Sequence, residues 1–175
     1  MLTTPDGRRF LHTPQDPADE YYFNWVTGAK KAVLISDYSF NFPKFETVIP
    51  ALLKAGLTVR LVLDHSQGAG PSEVPLINFL RTLLTTYPST FSMVLGTSPL
   101  KKINHDKFTV KDNVEVSYGS WNYTKAASLE NNNLIFDPTP DVISWYTVMW
   151  QTEYDWIVAN EPQVQTLTRL GIIEP

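Results

Sequence analysis

The sequence predicts an α/β fold: a mixed, largely buried β-sheet flanked by helices on both faces, in a single domain. Residues 32–64 read as strand, helix, strand. Residues 105–118 alternate polar and apolar side chains around Asp112–Asn113, the pattern of a hairpin. The 175-residue chain is 43% hydrophobic and shows no internal repeat and no break in composition, so it can bury one sizeable core.

Taken in order, residues 1–20 hold three prolines and read as an irregular arm, and "DEYYFNWVTGAKK" reads as a helix feeding the first strand. "AVLISDYSF" (32–40) is β-rich and mostly apolar, a buried strand. Pro43 opens a helix in which Phe45, Val48, Ile49, Leu52 and Leu53 form one apolar stripe. Pro50 inside it predicts a kink or a late start, and Gly56 its C-terminal stop. "LTVRLVLD" (57–64) is a second strand buried on both faces, and a connection of this length implies parallel pairing with a right-handed crossover. "HSQGAGPSE" (65–73) reads as a loop, residues around Leu76–Leu84 as a helix and "FSMVL" (91–95) as a short strand. Asp141 is the expected cap of a long aromatic helix, "VISWYTVMWQTEYDWIV", whose tryptophans pack the core or a subunit contact. Residues 140–175 are thus a C-terminal helix and tail of the same domain.

Composition narrows the function classes. The 13% aromatic and 18% charged content are those of a folded globule. A net charge of −4 argues against a protein that coats nucleic acid, though not against a nuclease with its cations gathered in one groove. The absence of cysteine excludes a disulfide framework, a thiolate zinc site and a cysteine nucleophile. No apolar run is long enough for a membrane span. The first residues contain no signal-peptide core, so a cytoplasmic location is the expectation; an export signal removed from further upstream would leave the remaining sequence unchanged.

The chemistry concentrates in "HDKFTVKDNVEVSYGSWN" (105–122). Side chains at i and i+2 share a strand face, so His105 and Lys107 are expected on one side, with Phe108 and Val110 packing on the other. Gly119 allows a sharp turn, and Ser120 and Asn122 begin a helical segment, "YTKAASLE", where either is an ordinary N-cap. Each residue taken singly is more often structural than functional. Together they supply a nucleophile or base, a fixed cation and donors for an anion.

His105–x–Lys107–x4–Asp112, followed after six residues by Gly119–Ser120–x–Asn122, resembles the HKD signature of the phospholipase D superfamily. "DYSF", "KAGLTVRLVLDH" and "SWNYTKAA" resemble its small single-motif members, the compact metal-independent bacterial endonucleases and their mitochondrial phosphodiesterase relatives. The similarity spans roughly residues 20–155. It implies phosphodiester transfer through a covalent phosphohistidine on His105, with Lys107, Ser120 and Asn122 on the non-bridging oxygens, and neither metal nor cofactor. Asp112 completes the catalytic signature, but its place at the hairpin turn predicts that it orders the turn. In small members a glutamate often stands before an asparagine at the start of the next strand and orients the histidine. In "LENNNLIF" that slot holds Asn132, before Asn133, or Glu130 across a gap, which leaves the partner of His105 open.

Neither His12 nor His65 is followed by Lys–x4–Asp, so one chain carries one motif. The resemblance therefore implies a homodimer with the active site on its two-fold axis. Lys101, Lys102 and Lys125, with Asn132 and Asn133, are candidate contacts for a phosphate backbone, although surface lysines are more often solubilising. The short single-motif chain favours nucleic acid, DNA ahead of RNA, over phospholipid such as cardiolipin, and no basic amphipathic helix suggests membrane insertion. A catalytically idle nucleic-acid-binding scaffold ranks last, because such members usually lose the histidine or the lysine.

Overall fold

The computed structural model describes residues 1–161. The chain begins with β1 (Leu2–Thr3) and β2 (Arg9–Thr13), followed by α1 (Ala18–Thr27), β3 (Ala32–Asp37) and α2 (Phe45–Lys54). Then come β4 (Thr58–Asp64), a single helical turn α3 (His65–Gly68), α4 (Val74–Thr86) and β5 (Phe91–Gly96). The hairpin strands β6 (Lys107–Lys111) and β7 (Glu115–Gly119) precede β8 (Asn132–Asp137) and the long helix α5 (Pro140–Asn160).

The eight strands form one mixed sheet in the order β1-β2-β8-β7-β6-β3-β4-β5. Strands β3, β4 and β5 run parallel, and β6, β7, β8 and β2 continue antiparallel from β3. The expected stripe of α2 is what it buries, and the helix passes through Pro50 and ends before Gly56, whose φ of +84° is the left-handed conformation that glycine adopts without strain. Helices α1, α2 and α4 cover one sheet face over a core rich in aromatic rings: Tyr22, Phe23, Phe45, Trp121 and Tyr123. Helix α5 covers the other face, packing Ile143, Trp150 and Ile157, each seven residues apart, on Val62, Val94, Phe108, Val110 and Val116. The Trp150 indole N–H donates to the Ile35 carbonyl at 2.8 Å, so the largest side chain of this seam is buried without an unpaired donor.

Five local expectations are corrected. "HSQGAGPSE" is not loop throughout: it opens with the helical turn α3, because the Asp64 carboxylate caps the N–H groups of Ser66 and Gln67. The arm 1–20 is not irregular: β1 and β2 extend the sheet beyond β8, with Leu11 buried against the core. "YTKAASLE" forms only a single 3-10 turn, Ala126–Ser128, and its capping hydroxyl is that of Thr124, not Ser120 or Asn122. The N-cap of α5 is Thr139, with Pro140 at the first helical position and Asp141 inside the first turn, where its charge suits the helix dipole. Lastly, His105 lies before β6, in the connection from β5, not within the strand. Residues 162–175 of the expected tail lie outside the described residues.

Candidate active site

Strands β3 and β4 end in buried carboxylates, Asp37 and Asp64, at the end of the sheet where β6 begins and β7 ends. Carboxyl ends of parallel strands are where open α/β sheets place their ligands, because loops diverge there and leave a crevice. The register pairs Phe108 with Tyr118, which brings Lys107 beside Gly119 and the turn that follows it.

Asn104 anchors the segment carrying His105. Its backbone N–H donates to Asp64 Oδ2 at 2.8 Å, its side-chain amide to Ser36 Oγ at 3.1 Å, and its Oδ1 accepts the Asp106 N–H. Asp64 also accepts the N–H groups of Ser66 and Gln67, so one buried carboxylate fixes both the turn after β4 and the connection before β6. His105 is left exposed between two immobilised neighbours, its ring edge-on to Tyr38 with centroids 4.7 Å apart. The Tyr38 hydroxyl is held by Gln67 at 2.9 Å.

Lys107 is buried along its stem, and its ammonium sits 5.0 Å from the centre of the same Tyr38 ring while donating to the His105 carbonyl at 2.6 Å. Imidazole and ammonium both contact the Tyr38 ring, although His105 lies outside the strand on whose alternation the expectation rested. Opposite Lys107 on β3 stands Asp37, fully buried, with Oδ2 accepting the Tyr123 N–H at 3.3 Å and Oδ1 without a hydrogen bond. Burial pushes the Asp37 carboxyl up and the Lys107 ammonium down, and each opposes the shift of the other through charge. Behind them Tyr22, Thr109 and Tyr123 share their hydroxyls in one buried chain.

Gly119 makes the turn possible, since a Cβ there would lie 2.3 Å from the Asn133 carbonyl oxygen. Ser120 is tied to the start of β8: its Oγ lies 2.9 Å from Asn132 Oδ1 and accepts the Asn133 N–H at 3.0 Å, and its own N–H reaches Asn133 Oδ1 at 2.8 Å. Asn132 and Asn133 thus shape the turn around Ser120, and neither meets His105. Glu130 is exposed and enters this region only through its carbonyl, which accepts from Thr13. Asn122 is half-buried, and its side-chain oxygen is buried without a partner.

A cavity of about 170 Å³ opens beside His105, lined among others by Asn104, Asp106, Ser98 and Glu153 of α5. Burial, reinforced by the adjacent Asp106 carboxylate, pushes the Glu153 carboxyl up to about 9; Ser36 donates to it at 3.0 Å. Around neutral pH Glu153 is therefore protonated. Sequence reading missed Asp37, Tyr38, Asp64, Asn104 and Glu153. The available signal for the first three was their position at the ends of two parallel strands; nothing local marks Glu153.

The remaining candidates lie apart from this cluster. Asp112 stands at the far end of β6, roughly 16 Å along the strand from Lys107. There it accepts the N–H groups of Lys30, Lys31 and Ala32 at 2.7–2.9 Å, and both Asp112 and Asn113 adopt φ +57°, as a two-residue hairpin turn requires. Lys101 packs its ammonium over Trp156 and pairs with Glu161, whereas Lys102 and Lys125 are exposed. His12 contacts Gln15, and His65 begins α3 with Nδ1 buried and unpartnered. Among the described residues no three His, Asp or Glu side chains are placed to hold a metal ion, and no helix is long and apolar enough to cross a membrane.

The sequence matches the family model described as cardiolipin synthase, PLD-like domain, over residues 23–167. The chain belongs to that family and hence to the phospholipase D superfamily, as its motif suggested. No curated protein is significantly similar to it in sequence. Among solved structures it is similar to Nuc of Salmonella typhimurium, a phospholipase D family member, with TM-score 0.74 and 24% identity over 85% of this chain and 94% of that one. NucT of Helicobacter pylori has TM-score 0.72 and 18% identity over 85% and 95%. Phosphatidylserine synthase of Haemophilus influenzae has TM-score 0.64 and 19% identity over 85% of this chain but 38% of that one. The archaeal chromatin protein TrmBL2, described as binding DNA, has TM-score 0.61 and 11% identity, with 52% of its chain covered. These likenesses establish the fold.

Proposed function

We propose that this protein hydrolyses nucleic-acid phosphodiester bonds without a metal, through a covalent phosphohistidine on His105, as a homodimer. The observation that carries this reading is the pairing of an exposed imidazole and a half-buried ammonium on the Tyr38 ring, beside the Gly119–Asn122 turn. In the reaction an imidazole nitrogen of His105 bonds to phosphorus as the bond to the leaving oxygen breaks. That oxygen takes a proton from the His105 of a second copy. The second imidazole, now neutral, removes a proton from water; the hydroxide attacks phosphorus, the P–N bond breaks and His105 is regenerated. Lys107 holds the non-bridging oxygens, with Asn122 at hand, and stabilises the charge they gather in flight. Two like imidazoles in different protonation states titrate as a pair, so the pH–rate curve is expected to be bell-shaped.

Nucleic acid is favoured because the chain is compact and single-motif, the form in which it resembles the small bacterial endonucleases: it is nearly coextensive with Nuc and NucT but spans 38% of the phosphatidylserine synthase. DNA stands ahead of RNA because TrmBL2, of the same fold, is described as binding DNA. A phospholipid reading has its own support in the description of the matching family and in Leu100 and Ile103, exposed apolar residues just before His105. The test is cleavage of single- and double-stranded DNA and RNA and of cardiolipin vesicles in excess EDTA, with His105→Ala alongside. EDTA-resistant cutting of nucleic acid that disappears in the variant is the expected result. Turnover of cardiolipin alone would replace the nuclease reading with the lipid one, and a wild-type monomer as active as a dimer would remove the shared site.

A further inference from the structure

The proposed chemistry gives Asp37 no task, and among the described carboxylates of the cluster it is Asp37 that has a buried oxygen without a partner. A fully buried carboxyl oxygen with no donor is rare enough in a folded protein to need a reason. Its only hydrogen-bonded oxygen takes a backbone N–H, that of Tyr123. Directly opposite on β6 is Lys107, and opposed residues of an antiparallel pair project to the same face of the sheet. An ammonium carries three N–H donors. One of those of Lys107 goes to the His105 carbonyl. No ion pair within 4.0 Å joins Lys107 to Asp37 in this arrangement, so a donor on one side and an acceptor on the other stand ready and unused.

We propose that Asp37 is the positioning residue of Lys107: its unpartnered oxygen is the counter-charge that keeps the buried lysine an ammonium and the second anchor of its head group while a phosphate is held. This rests on the reading of Lys107 as a phosphate ligand. Burial alone favours the neutral amine, which attracts a phosphodiester anion weakly. The charges facing Lys107 are Asp37 from β3, Asp64 from β4 and Asp106 from its own segment; those facing Asp37 are Lys107 and Glu73, with the Tyr123 hydroxyl nearby. Asp64 is occupied by the N–H groups of Ser66, Gln67 and Asn104, and Asp106 adjoins Glu153, which leaves Asp37 the carboxylate with an oxygen to give. The sign of the effect follows. Removing the Asp37 charge lowers the pH at which Lys107 loses its proton, so loss of the ammonium adds to the fall on the alkaline side of the bell set by the histidine pair and draws that limb toward neutral pH, while the acid limb stays.

The experiment compares full-length wild type with Asp37→Asn and Asp37→Ala. Asparagine preserves shape and the acceptor for Tyr123; alanine leaves no polar atom to bury, so at least one variant is expected to fold. The first readout is the pH profile of kcat/KM on bis(4-nitrophenyl) phosphate, and the second is an NMR titration of isotope-labelled lysine, with Lys107 assigned by its loss in Lys107→Arg. An alkaline limb and a Lys107 titration both displaced downward by about 1 pH unit or more in the variants is expected. A Lys107 titration unchanged in both variants overturns the proposal, even if melting temperature falls, because a purely structural Asp37 moves only stability. Should the wild type cleave no diester, a displaced Lys107 titration still upholds the pairing while the phosphodiesterase reading falls. If neither variant folds, the wild type decides alone: the Asp37 carboxyl carbon must report the Lys107 titration, and its failure to do so overturns the pairing.

Discussion

The two ends of strand β6 carry the same sequence motif and do opposite things. At the hairpin end the carboxylates are saturated. Asp112 takes three backbone N–H groups, and Glu115 takes the Arg9 guanidinium and the Trp25 indole, with Lys111 at 3.8 Å. At the other end polar groups are held in place but left incomplete: His105 is exposed, and Asp37 Oδ1 and Asn122 Oδ1 are buried without partners. A saturated carboxylate stabilises a fold, whereas an immobilised group with an unused donor or acceptor is preorganised for a ligand. The difference lies in tertiary surroundings, since His105, Lys107 and Asp112 are equally prominent in the motif.

The contrast breaks or sharpens under substitution. Loss of His105 is expected to have the largest effect: His105→Ala lowers kcat by about 10⁴-fold or more, with melting temperature unchanged because the ring is exposed, measured by single-turnover cleavage and calorimetry. Lys107→Ala follows, at about 10²–10³-fold in kcat/KM, as for loss of one preorganised charge-stabilising donor. At the opposite end the currency changes. Asp112→Ala is expected to lower unfolding free energy by about 2–4 kcal/mol in denaturant titrations, through three lost charge-assisted bonds, while the protein that remains folded keeps its turnover. A loss of turnover as large as that of Lys107→Ala, without loss of stability, would return Asp112 to the active site.

Two smaller effects refine the picture. Glu153 is raised from 4.5 to about 9, so the folded state binds its proton more tightly than the unfolded chain does. Its contribution to stability is fully present below about pH 4.5 and is lost as pH rises toward 9. Glu153→Gln is therefore expected to match wild type at pH 4 and to exceed it by about 2 kcal/mol at pH 8, less than the full linkage because the proton is shared with Asp106. Equal stability of the two proteins at both pH values would show that Glu153 ionises freely. The smallest change is expected for Ser120→Ala, about 2–10-fold in kcat/KM, because the hydroxyl is already engaged with Asn132 and Asn133. A loss near that of Lys107→Ala would mean that it turns to the phosphate.

Periodicity and spacing by themselves determined the α/β class, the parallel β3–α2–β4 unit and the hairpin with its Asp112–Asn113 turn. These are local quantities: an apolar stripe, an alternation, a left-handed pair of turn residues. The strand pairing of the arm 1–20 was not legible, because β2 is short and its partner β8 lies more than a hundred residues away. Nor was the brevity of the 3-10 turn at Ala126–Ser128, where helix-favouring residues yield to the tight return from β7 into β8. Only the tertiary structure decided which motif residues stand together. It separated Asp112 from His105 along a strand, and it brought Asp37 and Tyr38 from the end of β3, Asp64 from β4, Asn104 from the β5–β6 connection and Glu153 from α5 together around the carboxyl ends of the central parallel strands. Charge and proton affinity there depend on burial and on neighbours distant in sequence, and no local pattern encodes either.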